Sequence, residues 1–585
     1  MICLMLPITA AAADTIDAYP YPGHFNPKEG YYYIRNVEKG GYLAAEKVGS
    51  DVRYHIQDKG DLFRITKFQI VKDKEDVYAF KFMIAESPVA TKGHSLKVAS
   101  LTGWPDSGTE ITEMADYNFW HQFWAFDEAG DGKFYIRSYL DNSSEPGKGI
   151  DGTFPYLDVK SVSGDIRACL YAYAGGKTSQ LWVLEKGYVH PETITGAGTA
   201  DNPYLISTAE QLTEFANLVS NGSDYSGVYF KLNNDITYNG TKIGTENCPF
   251  SGIFDGGGHT INATINGGSY TGLFASLDGA TVKNLEIKGT VSGTGNGAGC
   301  VGGVAGYACN KSVIENCHVT ANVSGTDANV GGIAGLVIDS TVTKCRMDGS
   351  VTNSGWTSTG GIVGGIIGGG NIYNCVNTGK VTGDKAVGGI LGCVMSGDTL
   401  IGNCSSLGST AENSANGGYE HGGIVGFVGE EISNFTIGNC FTKCDIGVSA
   451  DSGCIIGNNN SDGGAIAYYI YYTASGKTEK AIGKGYDFVN ARKNLFFKVV
   501  KKDYSDTLRK LNRTAEGYTA SGYDFTSWTN DGNSLYPQSY SFNSSLAASV
   551  FSGKNITTLI VIAAGVLAAV VLVVVLYTVK KRKAK

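Results

Sequence analysis

Between Val301 and Cys440 short β-branched and apolar runs alternate with glycine doublets, and the whole pattern returns about every thirty residues. The doublets begin at Gly302, Gly331, Gly360, Gly388 and Gly422, with spacings of 29, 29, 28 and 34. Cys317, Cys345, Cys375, Cys404 and Cys440 follow them at spacings of 28, 30, 29 and 36. Asn stands before four of these, at Asn316, Asn374, Asn403 and Asn439. A period of this length, with no helical pattern between turns, predicts stacked units that each bury a face on the next. The architecture it favours is a right-handed parallel β-helix, one coil per repeat, rising about 4.8 Å per coil.

Elsewhere the periodicity changes. Residues 29–186 fall into three segments, each opening on an aromatic strand, "YYYIRN", "VYAFKFMI" and "KFYIRSYL". Each continues through "GYLAAE", "HSLKVAS" or "PYLDVKS" and closes on "DLFRI", "HQFWAF" or "SQLWVL". Period-two alternation makes these strands, and three repeats of about 50 residues predict a pseudo-threefold all-β barrel. Leu212, Phe215, Ala216 and Val219 instead fall at helical spacing, with Thr208 and Gln211 placed for a capping box. At the termini, residues 1–13 resemble a secretory signal, and Ile556–Val579 is apolar. That stretch would make roughly 36 Å of helix, enough for a bilayer of about 30 Å.

The predicted organisation is all-β apart from that span. It runs as signal 1–13, barrel 27–187, linker 188–207, β-helix 208–460, closing region 461–540, linker 541–555, transmembrane helix 556–579 and tail 580–585. The basic tail "KKRKAK" keeps the C-terminus cytoplasmic and the rest outside a cell membrane. Composition agrees: 81 Gly, 34 Tyr and only 17% charged residues favour strands and turns. Net charge is −8, or −13 without the five positive charges of the tail, so nucleic-acid binding is disfavoured.

Thirteen cysteines in an exported chain would ordinarily mean disulfides. Here the earlier, more degenerate coil "YTGLFASLDGATVKNLEI" has Leu285 after Asn284, where later coils have Cys after Asn. A position that accepts Leu is a core slot, so the recurring Cys reads as packing, with no metal site expected. The glycines recur with no helices between them, which removes a phosphate loop; they read as tight turns and close approaches at coil corners.

Gln122–Trp124 and Gln180–Trp182 resemble the Gln-x-Trp signature of ricin-type β-trefoil lectins, decayed in the first repeat to Asp61-Leu62-Phe63. The resemblance covers the whole of 29–186. It implies sugar binding through an Asp after the middle-motif Leu, a stacking aromatic and a polar pair at the Gln-x-Trp. Only the third repeat matches, with Asp158, Tyr171, Ser179 and Gln180; the first has Ala44 and Ala45, the second Lys97. A carboxylate accepting from adjacent hydroxyls and a ring against the apolar face of a pyranose is the chemistry implied.

The glycine-doublet repeats, with the lead-in "PFSGIFDGGGHTI", resemble the GLUG motif of bacterial surface proteins, over roughly 196–458. "YDFTSWTNDGNSLYP" is similar to the closing segment that follows such repeats. The resemblance implies display and adhesion, with no cofactor and no catalytic residue. HExxH is absent, and the aspartates of the coils, such as Asp255, Asp348 and Asp384, are scattered. Glu420-His421 beside a doublet is the least ordinary polar pair and reads as an exposed insertion. The expected protein is a membrane-anchored surface adhesin that captures a glycan or glycoprotein non-covalently through the trefoil, displayed on a β-helical stalk. The alternatives are a β-helical polysaccharide lyase or glycoside hydrolase with an attached binding module, and a structural envelope component.

Overall fold

Stacking in register is visible along any column of the repeats. Val282, Ile314, Val342, Ile372, Ile401, Ile437 and Ala467 pair one above the next in parallel. The computed structural model describes residues between 24 and 538, continuously over 177–413 and with short interruptions elsewhere. Two compact units emerge, residues 1–190 and 191–585. The predicted signal and the predicted transmembrane helix lie outside the described residues. Among those described, no helix is long and apolar enough to cross a membrane.

The first unit holds a 13-stranded sheet with antiparallel pairing throughout, closed around an aromatic core that contains Phe63, Phe82, Phe126, Trp124 and Trp182. The closing motifs play equivalent parts. Trp124 Nε1 donates to the Leu96 carbonyl at 3.3 Å, and Trp182 Nε1 to the Leu157 carbonyl at 2.9 Å. Phe63 has no such donor. In its repeat the Asp61 N–H reaches the Leu43 carbonyl at 3.1 Å, and Asp61 Oδ2 accepts from the Ala45 N–H at 3.0 Å. The decayed signature therefore keeps the tie to the middle motif by another route.

The second unit is a parallel β-solenoid with three faces, sheets of 10, 19 and 8 strands. Its first paired strand is Tyr204–Ile206 and its last is Phe496–Lys498, so it overruns the predicted 208–460 at both ends. The signature fades there because the end coils fill the same slots with other residues. The Cys column begins with Leu285 and continues through the five cysteines to Ile470, each fully buried. The twelve described cysteines are free thiols. Each column Sγ lies against the carbonyl two residues earlier, from 3.1 Å at Cys345 to 3.4 Å at Cys317.

The corners differ from the expectation in one respect. The left-handed backbone is carried by the residue before each Cys slot, φ 53° at Asn284, 52° at Asn316, 53° at Lys344, 56° at Asn374, 53° at Asn403, 51° at Asn439 and 55° at Tyr469. Asn is the residue that tolerates this region best after Gly. The doublet glycines are needed for crowding instead: a Cβ on Gly331 would sit 1.9 Å from the Ala334 carbonyl oxygen, and on Gly360 1.8 Å from that of Val363. No side chain fits there.

The corner asparagines also bond along the axis. Asn316 Nδ2 donates to Asn284 Oδ1 at 2.8 Å, Asn403 Nδ2 to Asn374 Oδ1 at 2.7 Å, and Asn439 Nδ2 to Asn403 Oδ1 at 2.7 Å. The closing region then clasps this edge. Its helix Ser505–Ala520, its hairpin Trp528–Pro537 and Phe525 between them pack Leu511, Phe525, Trp528 and Leu535 against Phe441 and Tyr471 of the solenoid. At the other end the helix Ala209–Ser220 covers the first coils. Thr208 caps its start, and the Phe215 ring lies 4.4 Å from that of Phe230.

Asn403 joins all of these features, since it also donates to the Thr526 carbonyl at 2.8 Å and accepts from Trp528 Nε1. Asn403→Ala should lower the unfolding free energy by about 3 kcal/mol, combining lost buried bonds with a disfavoured φ. Asn403→Gly, which keeps the φ, should cost less; urea denaturation of the two variants reads the difference, and equal costs would remove the conformational part of the argument.

Candidate functional site

The strand Pro155–Val162 carries Asp158 opposite Cys169 of the strand Asp165–Ala172. Asp158 is 0% exposed. Its Oδ1 accepts from the Val159 N–H at 2.7 Å, and Oδ2 meets Lys177 Nζ at 2.5 Å, the lysine being 43% exposed. Tyr171 lies across from Tyr156 in the same hairpin. Ser179 and Gln180, in the 3-10 turn Thr178–Gln180, are both buried. The Ser179 carbonyl accepts from Asn36 Nδ2 at 2.9 Å, which ties the turn to the first strand of the unit. Lys177, the residue just before this turn, thus occupies the Asp158 carboxylate.

The corresponding hairpin of the first repeat, Tyr42–Val48 with Asp51–Gln57, is open. It borders a cavity of about 580 Å³ lined by Glu46, His55, Gln57, Pro88, Val89 and Ile166, among others. His55 is almost fully buried; Nδ1 pairs with Glu46 Oε2 at 2.7 Å, and Nε2 has no protein partner. Apolar walls with a carboxylate, an amide and an imidazole are the usual lining of a small-molecule site. Ala44 faces His55 in the register where Asp158 faces Cys169. The first repeat lacks the Asp, and the ring that marks this cavity lies across the hairpin, eleven residues further on, where no local motif signals it.

On the solenoid, two carboxylates from coils two apart converge on one histidine. Glu286, His318 and Arg346 occupy one column of the second face. His318 Nε2 lies 2.8 Å from Asp348 Oδ2 and its Nδ1 3.4 Å from Glu286 Oε1. Arg346 Nε and Thr378 Oγ1 also donate to Asp348, at 2.7 and 2.5 Å. Burial alone would lower the His318 pKa, but its two carboxylate partners outweigh that and raise it. The His318 hydrogen bond, helped by Thr260 and Lys288, holds Glu286 down at about 2. Asp348 pays for its burial and is still held far below the usual range by His318, Arg346 and Thr378. With both carboxylates ionised and pinned, the chain ties four coils together and offers no free acid or base.

Glu420-His421 is not an exposed insertion. His421 is 0% exposed with neither ring nitrogen partnered by protein, and burial pushes its pKa down to about 4. Ser406 and Thr410, inward-facing in the same coil, also have unpartnered hydroxyls. Among the described residues no cluster of three or more His, Cys, Asp or Glu is arranged to hold a metal ion.

The GLUG motif family matches residues 297–324. The chain is 26% identical over 302 residues to the zinc metalloprotease ZmpC of Streptococcus pneumoniae, covering 50% of this chain and 16% of that protein. It is 28% identical over 254 residues to an immunoglobulin A1 protease of Streptococcus sanguinis, covering 39% and 13%. The chain spans between 2% and 16% of the length of the curated relatives it matches. A putative immunoglobulin A1 protease from Bacteroides ovatus aligns over 59% of this chain and 95% of its own, at 21% identity and a TM-score of 0.37. The designed threefold-symmetric protein ThreeFoil aligns over 27% and 99%, with a TM-score of 0.19.

The His318 chain gives a pH signature. A raised histidine pKa stabilises the fold below the unfolded value of 6.5 and is lost as pH rises through the folded value. The depressed carboxylates stabilise above their unfolded values of 4.5 and 3.8 and are lost as pH falls through the folded ones. The stability difference between the native chain and His318→Gln should therefore be largest between about pH 4.5 and 6.5, on the order of 1 kcal/mol, and shrink by pH 8 and by pH 3. Urea midpoints across pH measure it; a pH-independent difference would rule the charge chain out.

Proposed function

We propose that this chain is the display and capture part of a bacterial cell-surface protein. In this reading the antiparallel unit is a ricin-type β-trefoil that binds a glycan or glycoprotein, the solenoid is its GLUG-repeat support, and residues 556–579 anchor it in the membrane. The observation that carries the proposal is the open cavity on the first-repeat hairpin. Glu46 and Gln57 supply hydrogen-bonding groups for sugar hydroxyls, while Val89 and Ile166 offer apolar surface to the C–H face of a ring. A tie between closing motif and middle motif in each of the three repeats, through Trp124, Trp182 and Asp61, supports the trefoil design. Asp158, Tyr171, Ser179 and Gln180 remain the proposed contacts of the third repeat, reached when Lys177 releases Asp158.

Relatives named as proteases are matched over a small share of their length, which fits a module that sits beside catalysis without performing it. A single weak site gains useful strength from many copies on one cell. A glycan array probed with the native chain, His55→Ala and Asp158→Ala tests the reading. Binding should fall at least about tenfold in one of the two variants, the loss expected when a desolvated sugar contact is removed. A blank array, or binding unchanged in both, would sink it. Asp158→Ala should in addition lower stability by about 2 kcal/mol through the loss of the Lys177 pair.

A further inference from the structure

One inward column of the solenoid departs from its own pattern. Val301, Val330, Thr359, Val387, His421 and Ser452 pair one above the next in parallel. The first five are fully buried, so an imidazole stands in the core where the coils before it hold Val or Thr. Since Val fills the same slot one coil earlier, packing alone does not call for a histidine. Neither nitrogen of the ring meets a protein partner. Neutral, the ring forgoes one donor and one acceptor; as an imidazolium it would hold two donors and a full charge in a place closed to solvent.

The charged groups around its strand, Tyr419–Gly422, are engaged elsewhere or turned to solvent. Beside the paired strand Lys385–Gly388, Lys385 is exposed and Asp384 Oδ1 accepts from the Asn413 N–H at 3.1 Å. On the other side Asp451, next to the strand Ser452–Gly453, pairs with Lys484 of the strand Ile482–Gly485 at 3.3 Å. Glu420 Oε1 accepts from Asn458 Nδ2 at 3.1 Å, and Glu430 and Glu431 of the strand Val425–Glu431 are exposed. The strands Ser409–Ala411 and Ile456–Asn459 carry no titratable group, and Glu412 after the first is half-buried. Of all these only Asp384 acts on the ring, favouring its charged form, and burial outweighs it.

The geometry points to an acid-sensitive switch in the solenoid: His421 packs its coil closed while neutral, and taking up a proton drives the ring out of the core and frees the strand Tyr419–Gly422 from its neighbours. Three ladder bonds go with it. The Tyr419 N–H donates to the Asp384 carbonyl at 3.0 Å, the His421 N–H to that of Asp451 at 3.2 Å, and the Gly389 N–H to that of Gly422 at 3.2 Å. Glu420 in this strand sits at φ 63°, a backbone a glutamate rarely adopts, so local strain favours release. Burial lowers the His421 pKa to about 4, against 6.5 for a free ring. Between those values the open strand binds the proton and the closed one does not. Opening therefore becomes easier as pH falls, by up to about tenfold per pH unit, and levels off below about pH 4. The sense is opposite to that of His318, whose paired ring stabilises the fold below 6.5.

Hydrogen exchange read by mass spectrometry tests the switch on the native chain, His421→Val and His318→Gln between about pH 7.5 and pH 4. Native and variant are compared at the same pH, so the intrinsic pH dependence of exchange cancels. Across residues 419–428 the native-to-His421→Val ratio of exchange rates should climb as pH falls below 6.5 and reach on the order of a hundredfold by pH 4. Across 301–347 it should stay level. The readout is the pH dependence of the ratio, so a constant offset from altered packing does not enter. His421→Thr, which copies the Thr359 rung, should give the same profile and serves if the Val variant does not fold. His318→Gln should keep the native acid response at 419–428. A ratio constant across pH, a rise shared equally by both regions, or loss of the response in His318→Gln would overturn the switch.

Discussion

Coil-on-coil registry is the constraint from which the rest of this molecule follows. When each strand pairs in parallel with its equivalent one coil away, every side chain must coexist with near-copies of itself roughly 4.8 Å above and below. That condition explains why a column can be Cys five times over, why a doublet glycine cannot gain a Cβ, and why the corner residue is so often Asn. A thiol is small, apolar enough for the interior and able to lie against a carbonyl. An amide is the one side chain that both tolerates the left-handed corner and hydrogen-bonds to its own copy, donor to acceptor, along the axis.

The closing region depends on that edge. An asparagine ladder satisfies part of each amide, leaving groups that can be capped from outside. Asn374 donates to the Asp524 carbonyl at 2.6 Å and accepts from the Thr526 N–H at 3.0 Å, while Asn439 donates to the Leu511 carbonyl at 3.1 Å. Lys344 interrupts the ladder and instead forms ion pairs with Glu315 at 3.0 Å and Asp524 at 2.7 Å. The interruption is therefore also an anchor: a cation at that rung fixes where the returning chain begins to follow the edge.

What could be read in the sequence was whatever repeats. The Leu285 substitution identified the Cys column as packing, and the spacing of Leu212, Phe215, Ala216 and Val219 identified the cap helix, because both follow from period alone. The left-handed corner was written in the same pattern, in the Asn before four of the five Cys, although glycine is the residue type most associated with positive φ. Glu286, His318 and Asp348 were illegible for a different reason. Each is an ordinary polar residue in its own coil, and only the exact register of three coils makes them neighbours. Asp158 was legible as an Asp after a Leu, yet nothing local announced that Lys177, nineteen residues on, would close over it.

The same constraint decides where function can reside. Inward positions are fixed by their neighbours above and below, and outward positions on the sheet faces are limited to residues that tolerate a copy of themselves. Corner loops alone escape, since an insertion there lengthens one coil without disturbing the next. The widest repeat spacings, 34 between doublets and 36 between cysteines, mark the coil whose corner leads to Tyr419. Departure from the period is thus the informative signal in such a chain. Regularity reports stability, and the irregular corner is where a solenoid has freedom to present something to another molecule.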